Sequence, residues 1–198
     1  MRSGRLEAFS DGVLAIVITI MVLEMKAPED TSFESLLAIA PVFISYILSF
    51  IYLGIYWNNH HHLFQATERV NGKILWANLH LLFWLSLIPF ATSWVGENHV
   101  VALPVALYGL ILFLSAIAYR ILEVSLTKLH DENSPLHMVA KTGWKENIST
   151  IIYIVAIPTA FLSTWISIVC FVAVAILWVF PNKKLEESVL KTHKDQIP

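Results

Sequence analysis

The chain has 198 residues, 57% of them hydrophobic and only 14% charged, with a mean hydropathy of +0.65. It is too apolar for an ordinary soluble domain, and its apolar runs leave no room for a large domain outside a membrane. A net charge of -2 and a pI of about 6.4 argue against nucleic acid as a partner.

A membrane span needs about 20 mainly apolar residues. On that measure the sequence predicts six spanning helices, at roughly 5–26, 34–64, 72–95, 99–126, 145–162 and 164–181. The expected architecture is an all-α membrane protein, with residues 1–181 as the transmembrane domain and 182–198 as a polar tail. The first helix carries the densest information. Val13–Leu23 is apolar except for Thr19, and Phe9-Ser10-Asp11-Gly12 comes just before it. That acid, and the lack of an Ala-x-Ala site, argue against a secretory signal peptide. A carboxylate carried into lipid is expensive, which makes Asp11 a functional-site candidate.

At about 100° per residue, Ile16, Ile20 and Leu23 share one stripe with Thr19 at its edge, and Phe9, Gly12 and Val13 extend the stripe downward. Ser10 and Asp11 point towards whatever packs behind. Arg5 and Asp11 lie about 120° apart on the helix, so each must find a partner on another helix or subunit. The stripe has two readings. One is core packing; the other is a hydrophobic constriction where symmetric subunits meet on an axis and gate by dewetting.

The cations set the expected orientation. Arg2, Arg5, Arg69, Lys73, Arg120, Lys128, Lys141, Lys145, Lys183, Lys184, Lys191 and Lys194 fall on one side, and only Lys26 falls on the other. That bias places both termini in the cytoplasm. Trp57, Trp76, Trp144 and Trp178 near inner ends, and Trp94 and Trp165 near outer ends, fit interfacial belts. Trp84, in mid-helix, is expected to pack between helices. Pro41, Pro89, Pro104 and Pro158 fall inside predicted helices, where each would free a carbonyl.

His60-His61-His62 cannot form a metal-binding face, because consecutive helical residues point about 100° apart. One or two of these histidines, with Asn58, Asn59, Asn78 and His80, are expected to form a polar network near the inner end. Cys170 stands alone, which rules out an intrachain disulfide. No nucleotide loop, catalytic triad or cysteine cluster is present in the sequence, so neither an enzyme nor a bound metal or cofactor is expected. The Thr-Val-Gly-Tyr-Gly filter of ordinary potassium channels and the repeated arginines of a voltage sensor are also missing.

Arg5-x-x-x-Phe9-Ser10-Asp11-Gly12, followed by Ala15-Ile16-x-Ile18-Thr19-Ile20-x-Val22-Leu23-Glu24, resembles the signature of the bacterial branch of the transmembrane protein 175 family. Tyr56-Trp57-x-x-His60-His61-x-Leu63-Phe64 and the Asn78…Pro89-Phe90 stretch also fit it, and the resemblance spans essentially the whole chain. It implies a potassium-permeable channel in the cell (inner) membrane, built as a homotetramer whose four first helices line the pore. By position, the narrow ring would be Ile16, continued by Ile20 and Leu23, with Thr19 as a polar position linked to selectivity among monovalent cations. Arg5, Phe9, Ser10, Asp11, Gly12, His60, His61 and His80 would serve structure and assembly. The competing reading is a proton-coupled secondary transporter that relays protons through Asp11 and His60–His62.

Overall fold

The computed structural model describes residues 3–28, 30–67, 69–130 and 143–179. The tail at 182–198, and Arg2, Lys141, Lys183, Lys184, Lys191 and Lys194, lie outside the described residues.

Eight helices form among the described residues: α1 (Gly4–Leu23), α2 (Phe33–Ala38), α3 (Ala40–Gln65), α4 (Gly72–Ser86), α5 (Ile88–Glu97), α6 (Ala102–Thr127), α7 (Trp144–Thr159) and α8 (Thr164–Val179). Gly4–Leu23, Ala40–Gln65, Gly72–Glu97 and Ala102–Thr127 are long and apolar enough to cross a membrane, the third stretch being α4 and α5 taken together. The protein is therefore a multi-pass membrane protein. At 16 residues each, α7 and α8 are about 24 Å long, short of a hydrocarbon core of about 30 Å.

The prolines act differently from the sequence expectation. Pro41 opens α3, Pro89 opens α5, and Pro104 sits in the first turn of α6. First-turn N–H groups have no intrahelical acceptor, so proline there frees no carbonyl. Of these four, only Pro158 lies beyond the first turn of its helix. Pro89 instead divides the predicted third helix at Leu87, which caps α4 while α5 begins. The second predicted helix is divided in the same way at Ile39, ahead of Pro41.

The core runs between α6 and its neighbours, with Leu53, Ile74, Leu81, Ile88, Leu112, Leu122 and Leu126 fully buried. Inside it Ser49 Oγ bonds both Thr92 Oγ1 (2.7 Å) and Tyr108 Oη (3.0 Å), tying α3 to α5 and α6. Two glycines allow close helix approach. A Cβ on Gly96 would stand 2.7 Å from Val42 Cα, and one on Gly109 would stand 2.5 Å from Phe171 Cζ. The turn between α7 and α8 closes without glycine, through Leu162 and Ser163 N–H groups donating to the Thr159 carbonyl at 2.9 and 2.8 Å. The α5–α6 link is more strained: His99 and Val100 adopt φ of 53° and 62°.

Candidate ion pathway along the first helix

α1 packs one side against α3, α4 and α5 and leaves the other side bare. Leu6, Ser10, Leu14, Val17 and Met21 form its buried side. The bare side carries Arg5, Phe9, Gly12, Ile16, Thr19, Ile20 and Leu23, all exposed in the protomer. Ile16 is 60% exposed and Leu23 75%. Ile18 lies off this stripe, part-buried against the core. The Thr19 hydroxyl donates to the Ala15 carbonyl at 2.8 Å, which leaves its lone pairs facing outward.

Exposure alone does not mark a pore, since α7 and α8 also expose Ile151, Ile154, Val169 and Ile176. Those residues are purely apolar, as contact with lipid tails requires. The bare face of α1 instead mixes large aliphatics with Arg5, Gly12 and Thr19. Arg5 lies in the first turn of α1, whereas Gly12 and Thr19 sit among the aliphatics further along the helix. Arg5 has no ion-pair partner among the described residues of the protomer.

Behind the stripe lies a polar clamp. The Ser10 hydroxyl donates to the Leu6 carbonyl (2.8 Å) and accepts from Asn78 Nδ2 (2.9 Å). Asn78 Oδ1 is then turned to His60 Nε2 at 2.8 Å, so that nitrogen carries the proton. All three residues are buried, and together they tie α1 to α4 and α3. His60 Nδ1 is buried with no partner among the described residues. The ring lies against that of Phe64 at a tilt of 32°, with centroids 4.5 Å apart.

Two further links join α1 to α3 near the same level. Trp57 Nε1 donates to Asp11 Oδ1 at 3.1 Å, and Glu7 Oε1 meets His61 Nδ1 at 3.0 Å. Gln65 Nε2 holds the other ring nitrogen of His61 at 2.8 Å, and the Trp57 and His61 rings stack at 5.9 Å.

The expected network therefore forms, with different members. His80 is not among them: it is exposed, and its Nε2 accepts from Trp84 Nε1 one turn on, at 2.9 Å. Trp84 accordingly serves its own helix as well as the packing. Asn59 spends its side chain on the Ile55 carbonyl, and its own carbonyl accepts from Tyr119. Asp11 pairs with an indole, not with a histidine. Glu7, Trp57 and Gln65 are members that the sequence expectation lacks; the i, i+4 spacing of Glu7 and Asp11, set against that of Trp57 and His61, is the signal that points to them. Among the described residues Asp11, His60 and His61 each bond a different partner, Trp57, Asn78 and Glu7. Among the described residues no three of His, Cys, Asp and Glu converge as a metal group.

Comparison with known proteins sharpens the reading. The model of the endosomal/lysosomal potassium channel TMEM175 family matches residues 5–89, the stretch that holds the bare stripe and the whole clamp. A potassium channel of Chryseobacterium sp. (strain P1-3) is 57% identical over 189 residues, covering 96% of this chain and 98% of the relative. The chain belongs to the TMEM175 family. Another relative, a potassium channel of Streptomyces collinus, is 36% identical over 64% of this chain and 65% of its own length. The crystal structure of a lysosomal potassium-selective channel TMEM175 homologue from Chamaesiphon minutus superposes with a TM-score of 0.76 at 29% identity, over 89% of this chain and 96% of that one. As a TMEM175 protein, the chain shares its fold with a channel, and α1 with its clamp lies within the matched family segment.

Proposed function

We propose that this TMEM175 protein is a potassium-permeable cation channel of the cell membrane, assembled from four copies around α1. Each subunit crosses the membrane six times, with α4 and α5 as one span and α7 and α8 as the two short ones, and both termini are cytoplasmic. The observation that carries this reading is the bare face of α1: Gly12 and Thr19 share it with Ile16, Ile20 and Leu23, inside the segment that the family model matches. The potassium-channel relatives support the choice of ion.

Around a four-fold axis, four Ile16 side chains form the narrowest collar, and Ile20 and Leu23 continue it outward. A hydrated cation must shed part of its shell there or wait for the ring to widen, so the collar acts by size and by dewetting. Thr19 supplies the one polar position beside it. Ser10, Asn78 and His60 hold α1 at a fixed rotation without touching the ion, and neither metal nor cofactor takes part. The test is reconstitution of the purified protein in liposomes, with its oligomeric mass measured alongside. Four copies and potassium flux that needs no pH gradient support the channel. Flux that requires a proton gradient would favour a transporter.

A further inference from the structure

A cavity of about 190 Å³ lies away from the α1 face, bounded by α3, α6, α7 and α8. Tyr52, Tyr56, Tyr119 and Tyr153 give it aromatic walls, and Ala116 and Val174 give it aliphatic ones. Three of the four tyrosines have committed their hydroxyls. Tyr153 Oη donates to Tyr52 Oη at 3.3 Å, Tyr52 Oη donates to the Phe171 carbonyl at 2.6 Å, and Tyr119 Oη donates to the Asn59 carbonyl at 3.3 Å. Tyr56 breaks the pattern. Its ring meets that of Tyr119 edge-on and the residue is only 9% exposed, yet its hydroxyl has no hydrogen-bond partner among the described residues.

The charges on the wall are balanced. Arg120 pairs with Glu123, one turn along α6. Glu146 interacts with the adjacent Lys145 ammonium, which also lies over the Trp144 and Trp178 rings. Ser149 Oγ is taken as well, accepting from Trp178 Nε1 at 2.8 Å. Among the buried polar side chains of the wall, that leaves the Tyr56 hydroxyl unpaired. It is neutral and can both donate and accept. A buried polar group without a hydrogen bond is costly, so this hydroxyl favours an occupant that supplies one.

We propose that this cavity binds a small neutral ring compound carrying one hydroxyl, a phenol or an aryl alcohol. The ring packs among the tyrosine rings in edge-to-face or offset contact. Its hydroxyl makes the hydrogen bond that Tyr56 lacks. A cavity of about 150 Å³ holds benzene, so one of about 190 Å³ holds a single ring with a small substituent. A charged ring gains less, because it gives up its hydration on entry and finds no unpaired countercharge on the wall. A purely apolar ring fits the space but leaves the Tyr56 hydroxyl unpaired.

The experiment uses the full chain in lipid nanodiscs and follows the fluorine NMR signals of para-fluorophenol, para-fluorotoluene, para-fluorobenzoate and para-fluorobenzylammonium. Empty nanodiscs give the reference for partition into lipid. The phenol is expected to bind about fivefold tighter than the toluene, the gain of one net hydrogen bond, and tighter than either charged ring. Tyr56→Phe should bring the phenol down to the affinity of the toluene, with toluene binding and potassium flux unchanged. Ala116→Phe, which fills the cavity, should abolish binding of both. No saturable binding beyond the lipid reference, tighter binding of a charged ring, or a phenol preference that survives Tyr56→Phe would overturn the proposal. So would displacement of the phenol by potassium, which would place it on the α1 face. Flux by the unmodified protein is read separately, so the channel reading and this one fail independently.

Discussion

Ser10, Asn78 and His60 form a chain in which each hydrogen bond fixes the direction of the next. Removing the middle member leaves the Ser10 lone pairs and the His60 Nε2–H unpaired in a buried site. Such groups cost about 1–3 kcal/mol. Asn78→Ala should therefore lower the melting point of the purified protein, whereas His80→Ala, on an exposed side chain bonded only within its own helix, should change stability by less than about 0.5 kcal/mol. Equal losses would mean that the clamp is not what holds α1. Asp11 stands between these cases. Its Trp57 partner is 45% exposed, so Asp11→Ala should cost about 1–2 kcal/mol, below the figure for a broken buried ion pair. It should loosen assembly, read as subunit dissociation in detergent, while ion preference stays unchanged.

At the scale of elements, helix spacing is set by what is missing from two positions. Gly96 meets the Val42 backbone, which cannot rotate out of the way, so Gly96→Ala must push α5 off α3. The expected loss is about 1–3 kcal/mol, the range for overpacking. Gly54 is the control, because a methyl group added there would meet nothing within 4 Å. Gly54→Ala should be neutral or slightly stabilising, since alanine favours helix. Thermal unfolding of the two variants side by side gives the comparison. The same kind of spacing explains what the sequence concealed. Apolar runs located every long helix to within a few residues, because length and hydropathy are local properties. That Pro41, Pro89 and Pro104 sit in first turns depends on helix boundaries, which apolar runs blur. The Gly96–Val42 contact and the Asp11–Trp57 bond depend on how two helices are rotated against each other, which no single helix encodes. The rotation of α1 itself was legible, because Leu14, Val17 and Met21 face inward while Ile16, Ile20 and Leu23 do not.

For the whole molecule, the charge bias predicts one orientation, with 12 of the 13 Lys and Arg residues on the cytoplasmic side. A reporter active only outside the cytoplasm, fused after Pro198, should stay silent; activity would invert the topology. The central claim is that the bare face of α1 surrounds the ion. Ile16 and Ile18 are two residues apart on one helix, yet Ile16 is exposed and Ile18 part-buried against the core. An amide at Ile16 would stand in for lost hydration water, whereas an amide at Ile18 would enter the packing behind. The direct measurement is potassium and sodium flux through Ile16→Asn and Ile18→Asn in liposomes. Ile16→Asn should raise flux several-fold and erode any preference for potassium, and Ile18→Asn should lower the yield of folded protein without opening a leak. A leak through Ile18→Asn with none through Ile16→Asn would contradict the account.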